Sequence, residues 1–310
     1  MTRELNQIPK TVSDAIEESL ALVEAEYGTD AARRQAESES LPSLLEECEA
    51  WRQEVESEHP EPIRMVHHFA CTGGTLISKC LASLPNAWLL SEVDPLSELY
   101  KPPGRFSPTD FINLIRNSTR EAPADLLQDI FMASLGVTAR SAINRGLRLI
   151  IRDHTHSHYC TGSEVKARPT IADIVARERR TISIVTTRDP VDSYVSLVKN
   201  EWLHFEPGSV DEYAARYMKF LEDYKHAKLV RYEEFVQWPE MVMRQMADEL
   251  EMPYDDCFMD VFNVYDLSGD SGRSGREICA RPRQEIPEEI CSSMTNSKNF
   301  QLLRHRLGYG

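Results

Sequence analysis

The amino-acid sequence predicts an α/β protein with a central, mostly parallel β-sheet flanked by helices, preceded by an acidic helical N-terminal extension. From residue 63 onwards, short apolar runs alternate with longer stretches of helical periodicity. Strands separated by long helices need crossover connections, and such connections join parallel strands. Before residue 63 the chain is polar and acidic. Strands are predicted over residues 65–70, 87–90, 147–152, 181–187 and 227–231.

The helices between these strands follow from apolar residues that recur every three or four positions. Pro190 and Pro239 suit the first turn of a helix, where no backbone N–H is needed. The predicted helices cover residues 75–84, 107–117, 126–145, 171–180, 190–200, 210–223 and 239–251. In a sheet of this kind ligands bind beyond the carboxyl ends of the strands. Functional residues are therefore expected in the segments that follow the strands.

The first 62 residues have a different character from the rest of the chain. Ile16, Leu20 and Val23 have helical spacing, and a second apolar group runs from Leu41 to Trp51. The sequence EHPEP at residues 58–62 is typical of a linker. Residues 1–62 are therefore predicted to form two or three amphipathic helices, an extension without catalytic residues.

Composition limits the possible functions. The chain has 310 residues, of which 41% are hydrophobic, so it can form one large core. Its formal net charge of −15 argues against general binding to nucleic acid or to anionic membranes. The first ten residues lack the apolar core of a secretory signal, and no apolar run has the length of a membrane span. The seven cysteines show no CxxC spacing, which predicts reduced thiols and a cytoplasmic protein.

A glycine pair follows the first predicted strand. The residues Thr72, Gly73, Gly74 and Thr75 lead directly into an amphipathic helix. Paired glycines let the backbone N–H groups converge on an anion, and the helix N-terminus adds a partial positive charge. The Thr72 and Thr75 hydroxyls can add hydrogen bonds. The GxxxxGK[ST] pattern of a Walker A loop is absent. The segment indicates an anion site or, alternatively, a tight strand-to-helix turn.

The segment TTRDPVDSYVS contains the second anion-binding pattern. Arg188 directly follows the predicted strand at residues 181–187, Asp189 suits the helix cap, and Ser196 follows two helical turns later. An arginine and a hydroxyl so placed can converge on one phosphate, which the guanidinium can bind with two parallel hydrogen bonds.

This segment resembles the motif of sulfotransferases that use 3′-phosphoadenosine-5′-phosphosulfate (PAPS). The resemblance implies that Arg188 and Ser196 hold the 3′-phosphate and that ACTGGT, residues 70–75, forms the 5′-phosphosulfate loop. RYEEF, residues 231–235, is similar to the segment that lines the adenine site, which implies that role for Tyr232. The loop SGDSGRSGR, residues 268–276, resembles the family's C-terminal lid, with Arg276 as its 3′-phosphate ligand. The resemblance covers residues 63–310, which are expected to form a nucleotide-binding catalytic domain of the P-loop-related type.

Two residues are candidates for the catalytic base. His154 lies where several members of the family carry a catalytic histidine, and imidazole accepts a proton readily near neutral pH. Glu92 lies where the carbohydrate-modifying members place a catalytic glutamate. A carboxylate can serve as the base if desolvation raises its pKa. The sequence does not choose between the two.

The alternation of His154, His156, His158 and Cys160 raises the question of a metal site. On a strand these side chains would share one face, but alternate residues lie about 6.6–6.8 Å apart, so four in a row cannot surround a metal ion. They are interpreted instead as polar residues at the mouth of an active site, and no metal is expected.

One position departs from the family pattern. The family's phosphosulfate loop carries a lysine at the place of Thr72, where it stabilises charge on the departing oxygen. Arg152 or Arg64 are candidate substitutes for that lysine. Without a substitute, the resemblance implies nucleotide binding more strongly than turnover.

The function implied by the resemblance is in-line transfer of a sulfuryl group from PAPS to an acceptor hydroxyl or amine, with PAP as the product. The expected acceptor is a small molecule or a carbohydrate, particularly a glycan or glycolipid. No nucleic-acid partner is expected. Two alternatives stay open: a non-catalytic protein that binds PAP or PAPS, and a nucleotide kinase or NTPase.

Overall fold

The computed structural model describes residues 60–99, 108–268, 277–280 and 282–309, together with a few positions between 19 and 51. The chain divides into two compact units, Met1–Pro60 and Glu61–Gly310. The described positions of the first unit are helical and exposed. That residues 1–62 form a helical extension stays a prediction.

The larger unit contains a five-stranded sheet with the strand order β2-β3-β1-β5-β7, and every pairing in it is parallel. A short parallel pair, β4 with β6, lies outside this sheet. These observations confirm the predicted central parallel sheet. The strands are β1 (Ile63–His68), β2 (Ala87–Val93), β3 (Arg148–Asp153), β4 (Thr161–Gly162), β5 (Thr181–Thr187), β6 (His204–Phe205) and β7 (Lys228–Arg231).

Helices flank the sheet, and all seven predicted ones are present with ends that differ by a few residues. The start of the one predicted at residue 107 lies outside the described residues. The helices of the larger unit are α1 (Gly74–Ala82), α2 (Phe111–Arg116), α3 (Ala124–Asn144), α4 (Thr155–Tyr159), α5 (Ile171–Ala176), α6 (Pro190–Lys199), α7 (Val210–Asp223), α8 (Tyr232–Gln237), α9 (Pro239–Glu249), α10 (Phe258–Val261), α11 (Glu288–Asn296) and α12 (Lys298–Leu307).

The core lies on both faces of the sheet because alternate residues of the central strands point in opposite directions. Val66 and Ile184 join a cluster with α1 and α9. Met65 and Ile151 pack against α3, and Val185 belongs to a cluster with α6, α7 and α12. All residues of β1 are buried because β3 and β5 flank this strand and helices cover both faces of the sheet. This central position holds the end of β1 firmly beside the ends of β3 and β5.

Arg64, one of the two expected substitutes for the loop lysine, lies at the other end of the sheet. It is fully buried near the start of β1. Its Nε donates to the Leu250 carbonyl at 2.5 Å, and its Nη1 pairs with Glu61 at 2.7 Å. These contacts tie β1 to the end of α9. The suggestion that Arg64 serves the glycine loop is therefore wrong, since the loop follows the opposite end of the strand.

The histidine-rich segment folds differently from the strand considered above. Strand β3 ends at Asp153, and residues 155–159 form helix α4. His156 and His158 therefore do not share one face of a strand with His154. Within the described part of the chain, no group of three or more His, Cys, Asp or Glu side chains is arranged to hold a metal ion. A search of the same residues finds no helix with the length and hydropathy needed to cross a bilayer.

Candidate active site at the carboxyl edge of the sheet

The segment that joins β1 to α1, residues 69–74, is here named the glycine turn. Gly73 caps α1 with φ of 85°, in the left-handed region that disfavours residues with a Cβ. The Thr72 hydroxyl donates to the Phe69 carbonyl at 2.8 Å, and the Thr72 N–H donates to the same oxygen at 3.3 Å. The side chain of Thr72 thus closes the turn. Thr75 stands in the first turn of α1, at the helix end that attracts anions.

Both glycines are needed because aromatic rings lie directly against them. A Cβ on Gly73 would stand 2.2 Å from Cδ2 of Tyr232. A Cβ on Gly74 would stand 2.3 Å from Cγ and Cδ2 of His68. The glycine pair therefore brings the backbone of the turn into contact with the Tyr232 ring on one side and the His68 ring on the other.

Arg188 reaches the same turn from the end of β5. Its Nη1 donates to the Cys71 carbonyl at 3.3 Å, and its guanidinium lies over the Tyr232 ring, 5.0 Å from the centroid. Such a cation–π contact fixes the plane of the guanidinium. The Nε of Arg188 is buried and has no hydrogen-bond partner among the described residues. The structure thus brings together Arg188, Tyr232 and the glycine turn, three features that the sequence predicted to share one nucleotide.

Ser196 lies one helical turn before Asn200, so the two side chains share a face of α6. Asn200, the C-cap residue of α6, contacts the Cys71 sulfur through Nδ2 at 3.9 Å, and Cys71 belongs to the glycine turn. Asn200 was not identified from the sequence, because nothing in its local pattern marks it. Arg276, the expected lid residue, lies outside the described residues. The described residue Arg283 ion-pairs with Asp189 and Asp192 at the start of α6.

The two candidate bases lie next to each other. Glu92 has φ of 60° and lies within an irregularity in β2, where the register shifts between Leu90 and Val93. Its Oε1 lies 2.8 Å from Arg152 Nη2, and its Oε2 lies 3.3 Å from His154 Nε2. A carboxylate only accepts hydrogen bonds, so this contact favours the histidine tautomer that carries its proton on Nε2. The lone pair of Nδ1 is then the basic site of His154.

Arg152 connects Glu92, one of the two candidate bases, to the two residues that flank the glycine turn, His68 and Thr75. Its side chain is 3% exposed, and its Nη2 donates to the Thr75 hydroxyl at 3.0 Å. Its Nε and Nη2 lie 3.2 and 3.0 Å from Nε2 of His68. Burial lowers the pKa of His68 well below its usual value, and the charge of Arg152 lowers it further. His68 is therefore neutral, and it was not identified from the sequence.

A group of imidazoles and one indole continues outwards from His154. The rings of His154 and His156 are stacked with centroids 6.5 Å apart, and His156 Nε2 lies 3.0 Å from His204 Nδ1. The rings of Trp202 and His156 meet edge to face, with their centroids 6.3 Å apart. Burial, followed by the nearby His204 and His154, lowers the pKa of His156 to about 3. The side chain of His156 is therefore uncharged at neutral pH.

A buried polar network supports the sheet next to the site. Asp153 Oδ2 accepts from His67 Nδ1 at 2.7 Å and from the Tyr224 hydroxyl at 2.6 Å. The His67 and Tyr224 rings are stacked with centroids 4.0 Å apart. These contacts join β1, β3 and α7. The Asp153 side chain belongs to this network. The residue that precedes His154 is therefore acidic without facing the candidate active site.

Comparison with protein-family models and with curated proteins finds no match to this sequence. Solved structures do resemble it. The sulfotransferase domain from the curacin biosynthetic pathway is 13% identical, with a TM-score of 0.51 over 81% of this chain and 98% of that domain. The sulfotransferase domain of the Synechococcus PCC 7002 olefin synthase is 12% identical, with a TM-score of 0.48 over 81% of this chain and 96% of that domain.

A third similar structure is mouse sulfotransferase SULT7A1 complexed with PAP, 12% identical, with a TM-score of 0.36 over 79% of this chain and 88% of the mouse protein. The likeness to the curacin-pathway domain shows the fold of the present chain. The chain has a sulfotransferase-like α/β fold, and the fold expected from the sequence resemblance is confirmed. Sequence identity of 12–13% supports an inference about the fold and about no further property.

Proposed function

We propose that the chain is a sulfotransferase that transfers a sulfuryl group from PAPS to an acceptor hydroxyl or amine. The observation that carries the proposal is the meeting of Arg188, the Tyr232 ring and the glycine turn at one sheet edge. An anion cradle, a cationic side chain and an aromatic face are the groups that recognise a nucleotide bearing two phosphates. Their proximity matches a single ligand better than three unrelated structural roles.

In the proposed complex, the 5′-phosphosulfate binds at the glycine turn and the first turn of α1. Arg188 and Ser196 bind the 3′-phosphate, and Tyr232 contacts the adenine. The buried Nε of Arg188, which lacks a partner among the described residues, supports a ligand on this side chain. Buried donors are normally satisfied, so such a group marks a place where a further acceptor is expected. Arg276 is proposed as the lid residue that closes over the 3′-phosphate.

We assign the role of general base to His154 and an orienting role to Glu92. The acceptor oxygen forms a bond to sulfur while the bond from sulfur to the 5′-phosphate oxygen breaks. The acceptor proton passes to Nδ1 of His154, and the electron pair leaves with the phosphate of PAP. Glu92 holds the imidazole through Nε2, while its other carboxylate oxygen contacts Arg152, so Nδ1 of His154 is the nitrogen left to accept the proton. Arg152, beside Thr75, supplies positive charge at the departing phosphate.

We propose a carbohydrate-bearing acceptor, a glycan or a glycolipid. The His156 ring stacks with that of His154, and His156 in turn contacts Trp202 and His204. An indole ring stacks on the apolar face of a sugar, and neutral imidazoles exchange hydrogen bonds with hydroxyls. His156 stays uncharged at neutral pH, so this surface favours a neutral hydroxyl-rich group over an anionic one.

Two measurements test the proposal. Isothermal calorimetry with PAP should show binding, and transfer of radiolabelled sulfate from PAPS to a panel of glycosides and glycolipids should show turnover. Arg188→Ala should abolish PAP binding. Arg177→Ala is the matched control, because Arg177 is exposed and its Nη1 contacts Gln128 on α3. Absence of PAP binding would overturn the proposal, and PAP binding without transfer to any acceptor would favour a non-catalytic binding protein. Magnesium-dependent ATP turnover would instead support a kinase or NTPase.

A further inference from the structure

The positive charge next to the glycine turn comes from a side chain that lies outside the turn. The sequence contains no lysine or arginine between residues 65 and 78. Transfer of a sulfuryl group leaves extra negative charge on the 5′-phosphate oxygen, and a cation close to that oxygen lowers the barrier. Arg152 brings its Nη2 to the Thr75 hydroxyl at 3.0 Å, although Arg152 belongs to the neighbouring strand β3. A side chain that arrives from another strand has to be held in place.

His68 provides an acceptor for the Arg152 guanidinium. Nε2 of His68 lies 3.2 Å from Nε and 3.0 Å from Nη2 of Arg152. Arginine has only donors, so Nε2 must be the accepting nitrogen and the proton of the ring must be on Nδ1. Two donors of one planar group that share one acceptor set both the position and the plane of the guanidinium.

The surroundings keep this imidazole in its place and in its neutral form. Burial lowers the pKa of His68, and Arg152 lowers it further. The ring lies against Gly74, where a Cβ would come within 2.3 Å of two ring carbons. Nδ1 is buried and has no partner among the described residues. An unpaired buried N–H has a cost in stability, so the accepting role of Nε2 is the reason that the structure offers for a histidine here.

We infer that His68 is a positioning residue of Arg152, and that its neutral imidazole aims the guanidinium at the anion bound by the glycine turn. Glu92, Ser91 and the Ser268 carbonyl hold other edges of the same guanidinium. The inference rests on the proposed function, because it assigns that anion to the 5′-phosphate end of the nucleotide. It adds a histidine that takes no proton in the reaction. Its role is to orient a cation that the turn itself lacks.

The test compares two ligands that differ only at the 5′ end, so no acceptor is needed. The quantity of interest is the ratio of the Kd of adenosine 3′-phosphate to the Kd of PAP, measured by calorimetry on the full chain. This ratio reports what the 5′-phosphate adds to binding. Arg152→Ala should lower the ratio by about tenfold or more, the range expected for a lost charge-assisted hydrogen bond.

His68→Leu should lower the ratio by about threefold or more, which is less than Arg152→Ala because Glu92, Ser91 and the Ser268 carbonyl still contact the guanidinium. It should leave the Kd of adenosine 3′-phosphate within about twofold, since a change that small corresponds to no lost hydrogen bond. His68→Gln should keep most of the ratio, because its Oε1 can replace Nε2 as the acceptor. The double variant should bind like Arg152→Ala alone, because the two residues act as one unit. A structural role for His68 would instead weaken both ligands equally and would not be rescued by glutamine.

A second measurement uses the double variant His68→Leu/Arg152→Ala, and it remains informative if His68→Leu alone folds poorly, because the double variant leaves no buried guanidinium without its imidazole acceptor. Guanidinium ion at low millimolar concentration should restore part of the PAP affinity of Arg152→Ala, by occupying the space of the missing side chain. The same ion should have no effect in the double variant, which lacks the imidazole acceptor. Equal rescue in both backgrounds would overturn the inference, as would a ratio unchanged in His68→Leu. If the unaltered protein binds no PAP, the proposed function fails first, and that result is distinct from either of these.

Discussion

Replacing Gly73 by alanine tests whether the glycine turn and the Tyr232 ring form one unit. Gly73 has φ of 85°, and the added Cβ would stand 2.2 Å from Cδ2 and 2.6 Å from Cε2 of Tyr232. Ordinary contact begins at 3.4 Å, so the ring would have to retreat by about 1.2 Å. Tyr232 is 4% exposed, which leaves little space for that movement.

The expected loss of stability has two parts. The left-handed backbone costs a non-glycine residue about 1–2 kcal/mol, and the reduced freedom of the unfolded chain offsets about 0.4–1 kcal/mol of this. Displacing a buried ring adds about 1–3 kcal/mol, and weakening its contact with Arg188 adds up to about 1 kcal/mol. We therefore expect Gly73→Ala to lower the free energy of unfolding by about 2–4 kcal/mol, and to weaken PAP binding at least about tenfold as Arg188 shifts.

Gly146 provides the matched control. It has φ of 68°, but a Cβ there would meet no atom within 4 Å. It precedes β3 at the opposite end of that strand from the site. Gly146→Ala should therefore cost only the backbone part, about 1 kcal/mol, and should leave PAP affinity unchanged. Urea denaturation and calorimetry measure both quantities. Equal destabilisation by the two substitutions, with PAP affinity retained in Gly73→Ala, would refute the reasoning.

Three other predictions follow from single contacts. His154→Asn should reduce single-turnover sulfate transfer by about 10²–10⁴-fold without changing PAP affinity, and Glu92→Gln should reduce it less; the reverse order would identify Glu92 as the base. Arg64→Leu leaves buried carbonyls unpaired, so it should lower the free energy of unfolding, measured with urea, by about 2–4 kcal/mol. A fall in PAP affinity would argue against a purely structural role for Arg64. Desolvation raises the pKa of Cys71 to about 11, so the thiolate forms only as the pH approaches that value. At pH 8 about one molecule in a thousand carries the Cys71 thiolate. Iodoacetamide should therefore modify the exposed Cys291 before the partly buried Cys71, as peptide mass spectrometry would show. Comparable modification of both residues would contradict the raised pKa of Cys71.

The sequence predicted the β5–α6 segment well because its signals are local. Strand β5 has the bounds expected from its apolar run, and α6 begins at the expected proline. Asp189 caps that helix by accepting from the Val191 N–H at 2.9 Å. Each of these features depends on residues within one or two turns of each other, so the pattern along the chain was enough to find them.

Helix α4 shows where local pattern fails. Its five residues, Thr155–Tyr159, are too few for helical periodicity to be distinguished from the alternation of a strand. The predicted strand ends at residue 152, although the alternation of the histidines that follow it is also typical of a strand. The Ser157 hydroxyl donates to the carbonyl of His154 at 2.8 Å and also contacts Asp94, a residue from another part of the chain. A distant partner of this kind is invisible in a sequence window.

The contacts that define the chemistry are also distant in sequence. Arg152 was one of two candidate substitutes for the missing lysine, and only the sheet decides between them. In parallel strands β1 and β3, Val66 is the partner of Arg152, so the arginine lies close to the end of β1 that leads into the glycine turn. Arg64 pairs with Ile150, two residues earlier. Its position near the start of β1 directs its contacts towards Leu250 and away from the turn. Residue type made both arginines plausible, and strand register separated them.

The order of the strands gives the proposed donor its direction. Along the carboxyl edge, β2 carries Glu92, β3 leads to His154, β1 to the glycine turn, β5 to Arg188 and β7 to Tyr232. Neighbouring strands are about 4.8 Å apart, so β1 and β7 are separated by about 10 Å, a distance that an adenosine with phosphates at both ends can span. The strands that carry the candidate bases lie at one end of this row and β7 lies at the other, with the strands of the two phosphate-binding elements between them, while the Tyr232 ring reaches from β7 to Gly73. Acceptor, sulfuryl group, 3′-phosphate and adenine occur in that same order in the reacting complex. A shuffled strand order with the same residues would separate these groups, so the proposal of a single donor site depends on the topology more than on any one motif.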